Sequence, residues 1–213
     1  MGLCTSSHLN YDLSSKASAE IDKLSSKARR TEEGTIKFLL LGAGESGKST
    51  LFKQLNNIYG NGYTHMDREK YVPVLHNNLL TSMRTLIEQA RARTHVVFGG
   101  ETLSTEIPAP YDAECDQFLE HSVDAIVTPE IAAMVTRLWK LEGIRNVLKV
   151  RSSYQLPDSA EYFFKRAEAY GSEDFLPSDE DMLSGRSMTT GIIDKTLEIP
   201  PNVFRIVDVG GQR

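Results

Sequence analysis

The chain has 213 residues and a formal net charge of −5 at pH 7, with 40% hydrophobic and 25% charged residues. These proportions are ordinary for a soluble globular protein with one large or two modest domains. The acidic balance argues against a general nucleic-acid binder, which normally presents a basic face, so no nucleic-acid partner is expected.

The first residues have the pattern of a lipidated N-terminus. Gly2 follows Met1, and Ser6 lies four positions later, which is the acceptor pattern for N-myristoylation. Cys4 is a candidate for palmitoylation. Because two acyl chains attach a protein durably where one does so marginally, the pattern predicts a chain held at a membrane surface through Gly2 and Cys4.

A helix is predicted over residues 15–33. Ala17, Ile21, Leu24 and Ala28 repeat at i, i+4, i+7 and i+11 and share one helix face. The apolar stripe is narrow and a basic excess surrounds it, which suits docking on a partner and on an anionic leaflet. A solvated helix without a partner is the alternative that this segment leaves open.

Residues 35–50, TIKFLLLGAGESGKST, carry the strongest functional signal. Residues 36–41 form an apolar run typical of a parallel strand buried on both faces. Residues 42–49 fit the phosphate-loop pattern G-x-x-x-x-G-K-[ST] in full. In the helix predicted next, Leu51 and Leu55 share a face and Gly60 is the predicted stop. The positive end of this helix points toward a bound anion. Strand, loop and helix in this order predict a nucleoside triphosphate site and leave the base undefined.

The residue types of this loop fit phosphate chemistry. Gly42 and Gly47 permit the backbone angles that turn a row of N–H groups toward the phosphates. Lys48 reaches the β- and γ-phosphates, and the Ser49 hydroxyl binds Mg²⁺. A glycine-rich turn without a ligand is the alternative, which the agreement of strand, loop and helix disfavours.

The last residues predict a second part of the same site. NVFRIVDVGGQR reads as a strand that ends at Asp208, whose carboxylate can support the shell of a Mg²⁺ ion. Gly211, three positions later, can bring a backbone N–H close to a γ-phosphate. Residues 192–199 read as another strand, and the PPN turn after them predicts a hairpin.

Two polar residues lie upstream of that hairpin. Arg186 precedes Thr189 by three positions. An arginine can neutralise charge that develops on a transferring phosphoryl group, and a threonine hydroxyl can complete Mg²⁺ coordination. From the residues alone, an arginine at the surface without this role is the alternative.

Residues 66–180 are mostly helical in pattern. A first helix has an apolar face that includes Tyr71 and Leu75, with Pro73 near its start, and four more helices follow. These four are predicted over residues 114–124, 128–143, 144–150 and 158–170, and Asp158 is a start signal for the last. The exception is residues 98–112, FGGETLSTEIPAPYD, which read as a loop.

GAGESGKST, TTGI and DVGGQR together closely resemble the α subunit of heterotrimeric G proteins, and the resemblance runs over the whole chain. It implies an α/β fold: a P-loop (Ras-like) GTPase domain with an inserted all-α helical domain. The implied domains are an acylated helix at 1–35, parts of the GTPase domain at 36–62 and 184–213, and the inserted domain at 63–183.

The resemblance also implies a function. The expected protein is a signal-transducing GTPase that binds GTP or GDP and Mg²⁺, couples to a βγ dimer and a G protein-coupled receptor, and works at the cytoplasmic face of the plasma membrane. The effector is undefined.

The same resemblance assigns site residues. Arg186 would be the arginine finger supplied in cis, and Gln212 would orient the attacking water. Ser49 and Thr189 would ligate Mg²⁺, with Asp208 acting through the water shell of the metal. The implied nucleotide contacts are Gly44, Glu45, Ser46, Gly47, Lys48, Ser49, Thr50, Asp158, Leu183, Arg186, Thr189, Asp208, Gly211 and Gln212.

The chain departs from the family pattern at a few positions. Ser184 stands where the family usually has a second arginine, two residues before Arg186, and Ser187 and Met188 replace branched and basic residues. These changes predict altered nucleotide exchange.

The family continues beyond Arg213 with the guanine-reading N-K-x-D motif, so the 213 residues alone are expected to bind nucleotide poorly. Two alternatives stay open. One is a non-hydrolysing binder that keeps its acylated helix and occupies the βγ dimer. The other is an ATP-using P-loop enzyme, which the order of Arg186, Thr189 and Asp208 disfavours.

Overall fold

The computed structural model describes residue 23 and residues 34–43, 46–187 and 191–210. Lys23 is helical. The rest of the helix predicted over 15–33 lies outside the described residues. So do these predicted site residues: Gly2, Cys4, Gly44, Glu45, Thr189, Gly211 and Gln212.

The helices and strands of the described residues are as follows in chain order: β1 Thr35–Leu40, α1 Lys48–Tyr59, α2 His65–Arg91, β2 His95–Phe98, β3 Glu101–Ser104, α3 Ala109–Glu120, α4 Pro129–Trp139, α5 Glu142–Lys149, a 3₁₀ turn Arg151–Ser153, α6 Ala160–Lys165, α7 Ala167–Tyr170, α8 Asp179–Ser184, β4 Ile192–Ile199 and β5 Asn202–Val209. Among these helices, none is long and apolar enough to cross a membrane.

The chain divides into two compact units. The sheet unit contains residues 1–61 and 189–213, and the helix-rich unit contains residues 62–188. In sequence, the helix-rich unit therefore stands between α1 and β4 of the sheet unit.

The sheet unit is built on three strands in the order β1-β5-β4. The hairpin predicted from residues 192–209 is confirmed, because β4 and β5 pair antiparallel and Ile199 lies opposite Asn202. β1 pairs parallel with β5, which puts Leu40 beside Asp208 at the carboxyl ends of both strands. Helix α1 packs on β4 and β5. The predicted helix stop is also confirmed, since Gly60 is the C-cap and its N–H bonds to the Asn56 carbonyl.

The prediction that β1 is buried on both faces is wrong. β1 is an edge strand of the described sheet, and Phe38 and Leu39 are 50% and 55% exposed. Phe38 stacks on Phe204 of the neighbouring strand at a centroid distance of 5.8 Å. The apolar side chains of β1 are suited to burial, but they are buried only where other elements pack against them.

The helix-rich unit is organised around α2. This helix begins with a capping box, in which the Thr64 hydroxyl accepts from the Asp67 N–H and the Asp67 carboxylate accepts from the Thr64 N–H. It begins at His65, so Pro73 lies inside the helix and its predicted place near the start is wrong. The core side chains of α2 include Leu75, which is fully buried.

A buried histidine joins α2 to two other parts of this unit. His76 Nδ1 accepts from the Val127 N–H at 3.2 Å, and Nε2 lies 3.1 Å from the Tyr170 carbonyl. Because an N–H donates to Nδ1, the proton of the neutral ring is on Nε2, which donates to Tyr170. Burial lowers the pKa of His76.

The loop predicted over residues 98–112 is replaced by a hairpin and a helix start. β2 and β3 pair antiparallel across Gly99 and Gly100, which have φ of 59° and 85°. Two consecutive positive φ angles match a two-residue turn that joins twisted strands. The helix-rich unit is therefore not purely α-helical in its described residues, and α3 already begins at Ala109.

Three of the predicted helices have other bounds in the structure. The helix predicted over residues 128–143 ends at Trp139, and the helix predicted next, over residues 144–150, already begins at Glu142. The helix predicted from Asp158 begins at Ala160 and is interrupted at Arg166. The interruption at Arg166 lets the chain turn around the core formed with α2, which periodicity within one segment does not reveal.

Candidate functional site

The glycine-rich loop joins the carboxyl end of β1 to the first turn of α1. Gly47 is the N-cap of α1 and has φ of 83°, a left-handed conformation that side-chain-bearing residues rarely adopt. The Leu51 N–H bonds to the Gly47 carbonyl at 2.9 Å and begins the helical ladder. The loop therefore delivers the positive end of α1 to the same edge of the sheet where β5 ends.

The ammonium group of Lys48 is anchored over this loop. Lys48 Nζ donates to the carbonyls of Gly42 and Ala43, each at 2.7 Å, and to the Ser46 hydroxyl at 3.3 Å. These three contacts hold the positive charge of Lys48 above the loop. Two carbonyl oxygens of the loop, those of Gly42 and Ala43, thus face the lysine of the same loop.

The hydroxyl of Ser49 donates to Asp208 Oδ2 at 2.7 Å. Ser49 lies in the first turn of α1, and Asp208 is fully buried near the end of β5. The parallel register of β1 and β5 produces this contact, because it aligns Asp208 with the strand end that feeds the loop.

The donor set of this pair suits a magnesium ion. Mg²⁺ prefers oxygen ligands, keeps several waters, and is normally held in nucleotide sites by one or two protein oxygens together with substrate phosphates. A hydroxyl at the helix start and a carboxylate 2.7 Å away meet that description. Within the described ranges, no group of three or more His, Cys, Asp and Glu side chains could hold a metal by itself.

A half-buried lysine lies one helical turn after Ser49. Lys53 is on α1, and burial lowers its pKa to about 8. Nothing in the sequence marks Lys53 as part of a site, because a lysine in an amphipathic helix normally predicts a solvated side chain. Thr50, between them, is exposed on the first turn of the same helix.

Three predicted site residues belong to the helix-rich unit. Asp158 is exposed and lies 3.4 Å from Arg151. Leu183 is half-buried in α8, and Arg186 is exposed two residues after that helix ends. The Ser159 hydroxyl donates to the Ser184 carbonyl at 3.0 Å. This hydrogen bond brings the neighbours of Asp158 and Leu183 together.

The structure thus gathers the predicted residues in two groups. Ser46, Lys48, Ser49 and Asp208 meet in the sheet unit. Asp158, Leu183 and Arg186 lie in the helix-rich unit. The buried carboxylate of Asp181 was not among the predicted site residues, although the Ser178-x-x-Asp181 spacing at the start of α8 is a recognisable helix-start signal.

Comparisons with known proteins agree with the phosphate-loop geometry. The profile of a family described as "G-protein alpha subunit" matches residues 15–213. The chain is 34% identical to a guanine nucleotide-binding protein G(o) subunit alpha of Geodia cydonium, over 100% of the chain and 58% of the relative. It is 34% identical to a subunit alpha-13 of Mus musculus, over 93% of the chain and 53% of the relative. A subunit alpha of Cryphonectria parasitica is 35% identical, over 91% and 53%.

The fold and the phosphate loop define a P-loop nucleotide-binding protein of mixed α/β structure. More particularly, the chain belongs to the G-protein alpha subunit family. It spans between 53% and 58% of the length of these curated relatives.

Proposed function

We propose that this chain is the nucleotide-binding portion of a signal-transducing GTPase that requires Mg²⁺. The observation that carries the proposal is the convergence of the Lys48 loop and the Ser49–Asp208 pair at one edge of the sheet. Family membership supports guanine as the base. The helix-rich unit, which interrupts the sheet unit in sequence, is proposed to be the inserted helical domain of this family.

Residues of the phosphate loop and of the first turn of α1 are proposed to bind the phosphates of the nucleotide and Mg²⁺. Backbone N–H groups of residues 44–50 hold the α- and β-phosphates, and Lys48 Nζ neutralises charge on the β- and γ-phosphates. Ser49 and Thr189 supply hydroxyl ligands to Mg²⁺, while Asp208 holds the Ser49 hydroxyl and the water shell of the metal. The metal adds charge neutralisation to the phosphates when it is bound. Gly44, Glu45 and Thr50 are proposed phosphate contacts, with Asp158 and Leu183 closer to the ribose.

Hydrolysis is proposed to use two further residues. The bond from the γ-phosphorus to the bridging oxygen of GDP breaks as a water oxygen attacks, and the proton of that water passes to phosphate. Gln212 orients the water and the Arg186 guanidinium neutralises the charge that develops on the oxygens. The backbone N–H of Gly211 is proposed to contact the γ-phosphate, so that this contact is lost after hydrolysis.

The first test uses the full-length gene product. Gln212→Leu and Arg186→Cys should each lower single-turnover GTP hydrolysis by about 10³-fold or more, the magnitude already established for arginine fingers in this class. A competition experiment between GTP and ATP tests whether the site prefers guanine or adenine nucleotides. Unchanged hydrolysis in both variants, or preference for ATP, would contradict the proposal.

The N-terminal residues are proposed to attach the chain to a membrane and to help bind its protein partners. Acyl groups on Gly2 and Cys4 would hold the chain at the cytoplasmic face of the plasma membrane. The helix predicted over residues 15–33 and residues 205–213 would meet a βγ dimer there, and a receptor would drive nucleotide exchange. Intact mass spectrometry of the endogenous protein from membrane and soluble fractions tests this. Absence of acyl mass on the membrane form would contradict it.

A further inference from the structure

The backbone that carries Arg186 is held by side chains of the helix-rich unit at three consecutive residues. Ser159 Oγ donates to the Ser184 carbonyl at 3.0 Å, and Tyr71 Oη donates to the Gly185 carbonyl at 2.7 Å. Asn78 makes two contacts with the next residue. Its Oδ1 accepts from the Arg186 N–H at 2.6 Å, and its Nδ2 donates to the Arg186 carbonyl at 2.9 Å.

Two of these side chains project from one face of α2. Tyr71 and Asn78 are seven residues apart, and Leu75 lies between them at i+4. Gly185 packs directly on this face. A Cβ at Gly185 would lie 2.5 Å from Tyr71 Cε1 and 2.9 Å from Leu75 Cδ2, so a side chain there would push the backbone away. The glycine therefore permits the short hydrogen bonds that follow.

The Tyr71 hydroxyl keeps its proton at neutral pH. Burial is the main cause that raises the pKa of Tyr71 to about 12. The phenol can therefore donate to Gly185 under all physiological conditions.

The helix that precedes this segment is fixed by a buried carboxylate. Asp181 is fully buried and accepts from the hydroxyls of Tyr162 and Tyr170, each at 2.9 Å, and from the Ser178 N–H at 2.8 Å. Arg166 adds an ion pair at 2.8 Å. With α8 anchored by Asp181 and the next residues clamped by Asn78, the segment has little freedom of backbone position.

We propose that Asn78 is a positioning residue for Arg186, and that its amide sets the backbone from which the guanidinium is presented to the transferring phosphoryl group. This inference rests on the proposed role of Arg186. An amide that satisfies both the N–H and the C=O of Arg186 holds the two peptide groups on either side of its Cα. A displacement of about 1 Å in a group that contacts the transition state costs up to roughly 100-fold in rate, so the clamp bears directly on turnover.

The test is a double-mutant cycle in the full-length gene product. Asn78→Ala should lower single-turnover GTP hydrolysis between about tenfold and 100-fold, with the dissociation constant for GDP changed by less than about threefold. In an Arg186→Cys background, Asn78→Ala should change hydrolysis by less than about twofold, because its effect passes through the arginine.

The neighbouring residue provides the control. Asn77 lies on the same helix, but its amide donates to the Val123 carbonyl and to Asp124 instead. Asn77→Ala should leave the hydrolysis rate within about twofold of the unmodified protein. Tyr71→Phe, which removes one hydroxyl and keeps the ring, is the second variant and should lower hydrolysis without abolishing folding.

The outcomes separate the two proposals. If Arg186→Cys hydrolyses normally, the proposed role of Arg186 fails. If Arg186→Cys is impaired while Asn78→Ala and Tyr71→Phe hydrolyse normally, only the positioning role fails. Additive losses in the double variant would show that Asn78 acts by general stabilisation, and would overturn the inference. A melting temperature for each variant separates loss of fold from loss of rate.

Discussion

Ser49 and Asp208 are 159 positions apart in sequence, yet the serine hydroxyl donates to the carboxylate at 2.7 Å. The contact joins the first turn of α1 to the end of β5. It exists because β1 and β5 run parallel in register, so that their carboxyl ends and the loop between β1 and α1 share one edge. This is the edge at which open α/β sheets bind ligands.

Asp208→Asn is predicted to weaken the effect of magnesium on nucleotide binding. The amide keeps the shape of the side chain and an oxygen for Ser49, but it removes the negative charge. Loss of an outer-shell partner typically costs 10–100-fold in metal affinity, so the gain in GTP affinity on adding Mg²⁺ should fall by about tenfold or more. Binding of a fluorescent GTP analogue with and without EDTA measures it.

The control is Asp194→Asn on β4, whose carboxylate pairs with Arg205 at the surface. This variant should keep the full magnesium effect. An equal loss in both variants would contradict a specific role for Asp208.

Lys48→Ala is predicted to lower nucleotide affinity. The substitution removes the ammonium that contacts the Gly42 and Ala43 carbonyls and releases one charge from the loop. A hydrogen bond to a charged group contributes about 1.5–3 kcal/mol, so GDP affinity should fall by roughly 10–100-fold. Equilibrium binding checks this, with Lys70→Ala, an exposed lysine of α2, as the control. Wild-type affinity in Lys48→Ala would contradict the assignment.

Asp181→Asn is predicted to destabilise the helix-rich unit. Burial by itself raises the pKa of Asp181, but hydrogen bonds from Ser178, Tyr162 and Tyr170 outweigh it and hold the pKa below the usual range. A hydrogen bond to a charged group contributes about 1.5–3 kcal/mol, and the Asp181 carboxylate accepts several besides pairing with Arg166, whose side chain is 35% exposed. Urea unfolding should show a loss of about 3 kcal/mol in the free energy of unfolding.

Asp179→Asn is the matched control on the same helix. Asp179 is about half exposed and pairs with Arg68 at the surface, where an ion pair is worth at most about 1 kcal/mol. Similar losses in the two variants would contradict the assigned difference between buried and exposed carboxylates.

His76 is predicted to make stability fall on mild acidification. Its folded pKa lies below its unfolded value, so between these two values the unfolded chain binds more protons, and stability falls as pH decreases from about 6.5. The slope is at most about 1.4 kcal/mol per pH unit for one proton. Protonation is unfavourable because Nδ1 already accepts from the Val127 N–H.

Unfolding free energies measured over about two pH units downward from neutral pH test this prediction. His76→Gln, which does not titrate, should lose the component that begins near pH 6.5. The contribution of Asp181 appears only below the usual pKa of a carboxyl group, so the two effects separate. Identical pH profiles for His76→Gln and the unmodified protein would show that His76 is not the titrating group.

Local signals in the sequence were sufficient for several elements. The hairpin of β4 and β5, helix α1 and its end at Gly60 all followed from periodicity and turn residues. The β2–β3 hairpin was readable from Gly99-Gly100 between β-branched residues, but its signal is only four residues on each side and was taken as a loop. The interruption at Arg166 has no local breaker residue and depends on packing around α2.

Contacts between side chains of distant segments could not be predicted from the sequence. Nothing in a single sequence marks Asn78 as the residue that holds Arg186, because an asparagine within a helix reads as a solvated polar side chain. The same applies to the exposure of β1, whose apolar run predicts burial irrespective of what packs against it.

The sequence by itself determined the chemistry of the phosphate loop, since G-x-x-x-x-G-K-[ST] between a strand and a helix sets backbone angles, charge and a hydroxyl within a few residues. The tertiary structure decided which distant groups complete that chemistry. Asp208 reaches Ser49 through strand register, and Asn78 reaches Arg186 through the packing of α2. Register and packing are properties of pairs of segments, and their free energy appears only when the chain has brought those segments together.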